Sequence, residues 1–389
     1  VNAFREPHPH LLEVKKIYQN IKSTLVDKKN LTIRVKNWFD FSDLNEYLLH
    51  WSVTGDDGTI VAEGSKEVTC APHAVVDITL GAVKLPKTLR EAYLNLSWTR
   101  VKATPLVTSD WEVAYDQFVL PVSKNSWSGK PAKAGNTTFV VDEATGALKS
   151  LCLDGEELLA SPITLSLFRP ATDNDNRDQN GAKLWRQAGL DHLTQKVVSL
   201  KEGKNKTTVK ADILNAEGKK IGNAEFIYAL NRDGSMKVQT TFEPDTSLVK
   251  SMARLGITFE MKDTYENVTY LGRGEHETYT DRNQSGKIGV YKTTPERMFH
   301  YYVVPQSTGN RTDVRWLQLT DEHGKGCWIE ANSFFQFSTF PFSDVILEKA
   351  RHINELKRDG KITIHLDAEQ AGVGTATCGP GVLPSYLVP

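Results

Sequence analysis

Apolar residues near the start of the chain recur with the period of a helix. Leu11, Val14, Tyr18 and Ile21 follow one another at steps of three or four residues. Residues at these steps lie on one face of an α-helix. The pattern therefore predicts a short amphipathic helix over roughly residues 9 to 22.

From Leu31 onward the period changes to that of β-strands. Apolar and polar residues alternate through residues 31–35 and 47–53, and Asp57-Gly58 then provides a hairpin turn. Short strands separated by turn residues are typical of a sandwich of immunoglobulin size. We predict such a β-sandwich over residues 27–121, and its remaining apolar runs are residues 75–80, 94–98 and 113–119.

The rest of the chain begins with a change in composition. Residues 122–136 are poor in aliphatic side chains and rich in Ser, Gly, Lys and Pro, which is typical of an interdomain linker. Strand patterns then resume, so we predict a larger antiparallel β domain over residues 137–389. Within it we expect two helical segments, residues 182–188 ended by Gly189 and residues 343–355 with Ser343 as N-cap.

Composition and charge exclude several classes of function. The 389 residues include 47 Lys and Arg against 48 Asp and Glu, a formal charge of -1, so nothing in the bulk charge attracts nucleic acid or an anionic membrane. No apolar run approaches the roughly 20 residues of a membrane-spanning helix. The chain starts without Met, which indicates a piece of something longer or a processed product.

The cysteines do not form a recognisable metal or disulfide pattern. They lie far apart, with no C-x-x-C pair, so buried free thiols are favoured over a zinc site or a disulfide framework. No metal site is predicted in this chain. The four residues are Cys70, Cys152, Cys327 and Cys378.

Two further clusters carry chemical groups. Glu275-His276-Glu277 places carboxylates around an imidazole, which could bind a metal or transfer protons. Alternate residues of a strand face opposite ways, so a structural role is favoured. Near the C-terminus, the glycine-rich loop 372–381 contains Cys378, but no neighbouring base can be named to activate it as a nucleophile.

The densest polar loop precedes the helix that carries Trp185. Amide and carboxylate side chains beside an aromatic residue suit the binding of sugar hydroxyls, and they could also bind a cation. A solvated loop that caps the helix is the alternative, and the residues alone leave both open. The polar side chains are Asp173, Asn174, Asp175, Asn176 and Arg177.

Several of these segments resemble, in the same order, the C-terminal part of a bacterial β-galactosidase of glycoside hydrolase family 2. REPHP resembles the end of that family's catalytic barrel, and NEYLLHW a strand of its fourth, immunoglobulin-like domain. RPATDND resembles the start of a mobile loop in the fifth domain, and YLGRGEHETYTDR a signature of the same domain. These segments are residues 5–9, 45–51, 169–175 and 270–282, and further matches lie at 305–316, 350–352 and 372–374.

The resemblance implies an all-β fold in two domains. An immunoglobulin-like β-sandwich precedes a large antiparallel supersandwich of the galactose-mutarotase kind, and residues 1–26 are a short helical remnant of the TIM barrel. Retaining hydrolysis in this family uses two glutamates of the barrel, which also holds the Mg²⁺ and Na⁺ ions. We therefore expect no catalytic residue, metal ligand or cofactor in this chain, and no hydrolysis by the chain alone.

The resemblance leaves this chain a role at the rim of the sugar-binding pocket. The family carries a Ser-Trp pair in its C-terminal loop, and the tryptophan stacks on the substrate. Thr377-Cys378 stands at that position here, and a thiol lacks a broad π face. Either another aromatic residue, such as Tyr386 or Trp185, substitutes, or the parent prefers a galactoside other than lactose. The expected rim residues are Asp173, Asn174, Asp175, Asn176, Arg177, Thr377 and Cys378.

The resemblance also implies the partners of the chain. They are the preceding domains of the same polypeptide, a galactoside substrate and further copies of the parent in a homo-oligomer, with no nucleic acid and no membrane. The compartment is left open between bacterial cytoplasm and periplasm. Two alternatives remain: a stand-alone carbohydrate-binding module and a mutarotase-like enzyme.

Overall fold

The computed structural model describes residue 2 and residues 5–388. Residues 1, 3 and 4 of the predicted barrel remnant and residue 389 of the predicted second domain lie outside the described residues. The described chain forms two compact units, one containing the residues up to 130 together with 284–290, the other residues 131–283 and 291 onward. Both units are built from antiparallel strands, so the predicted all-β fold class is confirmed.

The first unit is a pair of antiparallel sheets. One sheet has the strand order β1-β2-β5 and the other β4-β3-β6-β7, and buried side chains such as Val35, Leu49 and Trp98 form their common core. The elements are α1 (Pro9–Ile17), β1 (Ile21–Asp27), β2 (Thr32–Asn37), β3 (Tyr47–Gly55), β4 (Ile60–Glu67), β5 (Val75–Thr79), β6 (Glu91–Arg100) and β7 (Glu112–Pro121).

The N-terminal helix is shorter than its apolar spacing predicts. It ends at Ile17, and Ile21 instead begins β1, which pairs with β2. Ile21 and Ser23 are buried while Lys22 and Thr24 are exposed, so tertiary pairing decides the conformation here. Strand β1 crosses the boundary predicted between residues 26 and 27. The hydrophobic pattern does not show β4, because its side chains are mostly exposed and do not alternate. The hairpin turn predicted at Asp57-Gly58 does imply a strand there, and β4 pairs antiparallel with β3.

Residues 122–136 form no helix or strand in the described structure. Part of this segment is nevertheless packed on the first unit. Trp127 is buried, and the Arg90 guanidinium lies over its indole, 4.3 Å from the centre of the Trp127 ring. Ser128 Oγ donates to the Asp56 carboxylate at 2.6 Å.

The remaining sheets belong to the second unit, except that residues 287–290 of the last strand of the seven-stranded sheet fall within the first unit. A seven-stranded sheet has the order β11-β16-β21-β20-β19-β17-β18, beside the sheets β12-β13-β14-β15 and β10-β9-β8. The strands are β8 (Thr137–Val141), β9 (Leu148–Leu153), β10 (Glu156–Glu157), β11 (Thr164–Ser166), β12 (Thr194–Glu202), β13 (Lys206–Leu214), β14 (Lys220–Leu230), β15 (Met236–Pro244), β16 (Arg254–Lys262), β17 (Asn267–Gly274), β18 (Lys287–Thr293), β19 (Arg311–Thr320), β20 (Gly326–Phe340) and β21 (Lys361–Gln370).

Three short α-helices and three 3₁₀ turns, at Asp263–Tyr265, Ile353–Glu355 and Pro384–Tyr386, interrupt these strands within the described residues. Helix α2 (Ala182–Ala188) has the predicted bounds and ends at Gly189, whose φ of 72° suits glycine. Helix α3 (Pro295–Met298) was not predicted. Helix α4 (Asp344–Lys349) covers only the first half of the predicted segment, and Ser343 caps it by accepting from the Ile346 N–H. No helix among the described residues is both long and apolar enough to cross a membrane.

Candidate functional site

The polar loop predicted as a binding segment runs from residue 172 to 181, immediately before α2. Its turns are closed by backbone hydrogen bonds from Asn176 N to Thr172 O and from Ala182 N to Asp175 O. A Cβ atom on Gly181 would lie 2.3 Å from the Asp175 carbonyl oxygen, so only glycine fits this close approach. We call this segment the rim loop.

A buried ion pair anchors the rim loop to the body of the second unit. Arg169 Nη2 and Nε donate to the two Asp175 carboxylate oxygens at 2.7 and 3.0 Å, and both side chains are almost fully buried. The Thr172 N–H donates to the same carboxylate at 2.9 Å. Asp175 therefore holds the loop in place, and both of its oxygens are occupied by protein groups.

The same arginine fixes the C-terminal glycine-rich segment. Arg169 donates to the carbonyl oxygens of Ala371 at 2.8 Å and Gly372 at 2.9 Å. The Asp281 carboxylate accepts from the Gly374 N–H at 2.8 Å. A Cβ atom on Gly372 would lie 2.5 Å from that carboxylate, which explains the glycine. We call residues 372–383 the C-terminal loop.

Asn174 joins the rim loop to the C-terminal loop. Its Nδ2 donates to Gly374 O at 2.9 Å, and its Oδ1 accepts from Thr377 N at 3.0 Å and Thr377 Oγ1 at 2.6 Å. Asp178 makes a second link by accepting from the Val382 N–H at 2.6 Å. The structure thus brings together two segments that lie about 200 positions apart in sequence.

The two loops enclose an open cleft of about 370 Å³. Exposed side chains of the two loops are accessible to a ligand. Asn174 is half-buried and Asp175 is buried, so these two are less accessible. The cleft is lined on one side by residues 177–180 and on the other by Ala376 and residues 379–383. The exposed members of the predicted site are Asp173, Asn176, Arg177, Thr377 and Cys378.

The two aromatic candidates have different environments. Trp185 is 2% exposed, and its indole N–H donates to Ser251 Oγ at 3.0 Å, so its ring belongs to the core. Tyr386 is 36% exposed, and its carbonyl oxygen accepts from the Gly372 N–H. Of the two, Tyr386 is the ring that is accessible beside the C-terminal loop.

Sequence reasoning did not identify three residues that position the loops. Gln306 exchanges hydrogen bonds with Asp173, accepting from its N–H at 3.2 Å and donating to its carboxylate at 3.3 Å. Arg169 and Asp281 act as described above. All three lie in segments that carry the family resemblance, which is the only signal that could have found them.

The Glu275–Glu277 cluster is divided by the structure. Glu275 is exposed, whereas Glu277 is buried and accepts from Arg282 Nη2 at 2.5 Å, Gly309 N at 2.8 Å and Tyr302 Oη at 3.2 Å. Burial acts to raise the pKa of Glu277, but the Arg282 charge and these hydrogen bonds outweigh it and lower the pKa. The side chain is a structural anion of the second unit.

Replacing Glu277 with glutamine is expected to lower the free energy of unfolding by about 3 kcal/mol at pH 7, because Arg282 loses its buried partner. A carboxyl with a lowered folded pKa contributes stability above its unfolded pKa, about 4.3, and loses that contribution as the pH falls through the folded pKa. The difference from the wild type should therefore shrink below about pH 4. Urea unfolding at pH 7 and in acid measures it, with Glu275→Gln as the control. An equal difference at both pH values would contradict the assignment.

No group of three or more His, Cys, Asp or Glu side chains is arranged to hold a metal ion within residue 2 and residues 5–388. The four cysteines are unpaired thiols in the same part of the chain, with Cys70 buried and Cys378 exposed. The described site is thus an arrangement of hydrogen-bonding side chains on two linked loops.

Known proteins were compared with the sequence and the fold. Residues 133–389 match the family described as "Beta galactosidase small chain", and residues 33–121 match "Beta-galactosidase, domain 4". A β-galactosidase of Priestia megaterium is 30% identical over 94% of this chain, one of Aeromonas hydrophila is 29% identical over 95%, and one of Actinobacillus pleuropneumoniae is 24% identical over 99%. The chain spans only 37–39% of the length of these curated relatives.

Similarity to solved structures adds no argument about the fold. An exo-chitosanase of Amycolatopsis orientalis matches with 11% identity and a TM-score of 0.22, over 71% of this chain and 26% of its own. The family match, in contrast, includes the rim loop, the C-terminal loop and every residue that links them. Since this match alone covers well over half of the sequence, the chain belongs to the β-galactosidase small-chain family.

Proposed function

We propose that this chain is the C-terminal portion of a β-galactosidase that hydrolyses terminal β-D-galactosides with retention. In this proposal its own contribution is to complete the rim of the sugar-binding pocket with the rim loop and the C-terminal loop. The names of the relatives support the activity. The link through Asn174 carries the proposed role, because it joins the two loops that the resemblance assigns to the rim.

The proposal divides the chemistry between this chain and the preceding part of the parent. Two carboxylates act in retaining hydrolysis, one as nucleophile and one as acid and base, and we assign both, with Mg²⁺ and Na⁺, to the preceding barrel. This chain orients the sugar. Asp173 and Asn176 offer acceptors and an amide donor to hydroxyl groups, and Arg177 offers a cationic donor.

The C-terminal loop is proposed to shape the outer part of the pocket. Cys378 is exposed and small at the position where the family carries tryptophan, so it leaves room for a bulkier aglycone than a stacked indole would. Tyr386 is the accessible ring next to this loop. Aromatic rings pack well on the apolar faces of sugars, so Tyr386 is proposed to supply stacking.

The parent protein, made by expressing this chain with the sequence that precedes it in its gene, tests the loop role. Asn174→Ala is expected to lower kcat/KM for a nitrophenyl β-galactoside about tenfold, the equivalent of about 1.4 kcal/mol, because the loops lose their link. Asn332→Ala, at an exposed position on β20, is the matched control. An Asn174→Ala enzyme with unchanged kinetics would contradict the rim role.

The isolated 389-residue chain tests whether catalysis belongs only to the preceding part of the parent. It should hydrolyse no galactoside and show no galactose binding by calorimetry at millimolar concentrations. Galactose affinity in the isolated chain would favour a stand-alone binding module instead. Accelerated anomerisation of galactose would favour a mutarotase-like enzyme, and either result would overturn the proposed division.

A further inference from the structure

The seven-stranded sheet of the second unit has two chemically different faces. On one face, Phe259, Phe337 and Ile364 belong to the main apolar core. Side chains of a strand alternate between faces. The opposite face is mixed: Phe340, which lies opposite Thr363, belongs there to a small apolar cluster and its ring centre is 5.6 Å from that of His365. Beside this cluster, four polar side chains are at most 1% exposed. They are Arg254 on β16, Ser338 on β20, and His365 and Asp367 on β21.

Strand register places these polar residues together. His365 lies opposite Ser338, and Asp367 lies opposite Gly256 on the neighbouring strand. A Cβ atom on Gly256 would be 2.2 Å from Asp367 Oδ1, so the carboxylate lies directly over that glycine. Arg254 Nη1 is 3.8 Å from Asp367 Oδ2, which is too far for a direct hydrogen bond.

Several atoms of this cluster have no hydrogen-bond partner among the described residues. They are two donors of one guanidinium, a carboxylate oxygen, a ring nitrogen and a hydroxyl. A buried polar atom without a partner is strongly unfavourable, and five such atoms on one patch are incompatible with a dry interior. The atoms are Arg254 Nε and Nη1, Asp367 Oδ1, His365 Nδ1 and Ser338 Oγ.

Two contacts in this region involve other atoms of the same side chains, so the five atoms named above remain without partners in the described part of the chain. His365 Nε2 is 3.1 Å from Asp344 Oδ1 at the start of α4, and Gln370 Nε2 donates to Asp367 Oδ2 at 3.1 Å. Burial acts to raise the pKa of Asp344, but the His365 and Arg254 charges outweigh it and lower the pKa. Burial raises the pKa of Asp367. The groups are therefore electrostatically coupled within one enclosed region.

The charges of the cluster select the kind of ligand that it can hold. A cation is disfavoured because Arg254 already lies beside the Asp367 carboxylate, and an anion is disfavoured by that carboxylate. The unsatisfied atoms include both donors and acceptors, which suits a neutral molecule that both donates and accepts. Near-zero exposure of all four side chains excludes entry of a sugar-sized molecule in this conformation. Water meets each requirement.

We propose that Arg254, Ser338, His365 and Asp367 line an internal site that binds ordered water molecules on the face of the seven-stranded sheet opposite the main apolar core. The bound water bridges Arg254 to Asp367 and completes the hydrogen bonding of Ser338 and His365. Gln370 connects the site to Arg169, the anchor of the rim loop, since its Oε1 accepts from Arg169 Nη1 at 3.4 Å. The water site does not depend on the proposed enzymatic function.

Deletion of one hydroxyl on each face of β20 tests the proposal in the full 389-residue chain. Ser338→Ala removes a hydroxyl from the proposed site, and Thr339→Val removes a buried, unpartnered hydroxyl from the adjacent position, which faces the core. If water binds Ser338, Ser338→Ala should lower the thermal midpoint by about 2–4 °C, whereas Thr339→Val should leave it unchanged or raise it. A midpoint that is unchanged or raised in Ser338→Ala would overturn the proposal.

A crystal structure of the same chain at a resolution that shows water gives a second test. We expect density within hydrogen-bond distance of both Asp367 Oδ1 and Arg254 Nε. An empty space there, direct pairing of these side chains, or a metal ion in the site would each refute bound water. This result is independent of any assay of galactoside hydrolysis, so it can fail while the proposed function stands.

Discussion

Replacing Arg169 with alanine is expected to lower the free energy of unfolding by about 3–5 kcal/mol, because it leaves the buried Asp175 carboxylate without its partner. The substitution also removes the donors to Ala371 O and Gly372 O. In addition, the guanidinium lies 5.5 Å from the Trp185 ring centre and 5.8 Å from that of Tyr279. Urea or guanidinium unfolding of the purified chain measures the loss.

The matching control removes both charges at once. A double variant, Arg169→Met with Asp175→Leu, should recover much of the stability, since replacing a whole buried ion pair with apolar groups is far less harmful than breaking it. An exposed bidentate pair, Arg34 and Asp77, gives a second comparison. Arg34→Ala should change stability much less, because solvent screens that pair. A small effect of Arg169→Ala would contradict the anchoring role.

Trp185→Ala is expected to lower the free energy of unfolding by about 3–5 kcal/mol, the range for truncating a large buried aromatic side chain. The indole is 2% exposed, packs edge to face against Phe168 and donates to Ser251 Oγ. Chemical denaturation measures the effect. Trp185→Phe keeps much of the apolar volume and loses the indole hydrogen bond, so it should be less destabilising.

The functional readout of these variants separates a core residue from a sugar-stacking residue. In the β-galactosidase that we propose as the parent, Trp185→Phe should leave KM for a galactoside close to that of the wild type, because the ring lies inside the second unit. Tyr386→Ala should raise KM if its exposed ring stacks on the sugar. A raised KM in a well-folded Trp185→Phe enzyme would show that the indole does contact substrate.

Strands and helices could be predicted from the sequence where they bury a regular set of apolar side chains. Helix α2 is predicted as a segment ended by Gly189, and strands such as β3 and β6 are predicted from their runs of apolar residues. Strand β4 is implied only by the hairpin turn, because its side chains are mostly exposed and nothing in the hydrophobic pattern distinguishes it from a loop. Helix α3 spans only four residues and lies outside the range in which periodicity can be detected.

The candidate site was predictable in part. Composition identified the polar loop with Asn174, and the family resemblance added Thr377 and Cys378. Asp175 is expected at the rim, and the structure shows that both of its carboxylate oxygens are bound to protein donors; its contact with a sugar stays a prediction. Residue type alone cannot separate a ligand-binding aspartate from an anchoring one, since the distinction depends on which cation lies beside it.

The sequence by itself determined the all-β class, the polar loop before α2, the glycine-rich C-terminal segment and the family. These follow from local period, composition and motif order. Only the tertiary structure decided that Asn174 joins two segments about 200 positions apart, that Trp185 is buried and that four buried polar side chains meet on one face of the seven-stranded sheet. The physical reason is that strand register and chain crossings set which distant side chains meet, and no local pattern encodes those distances.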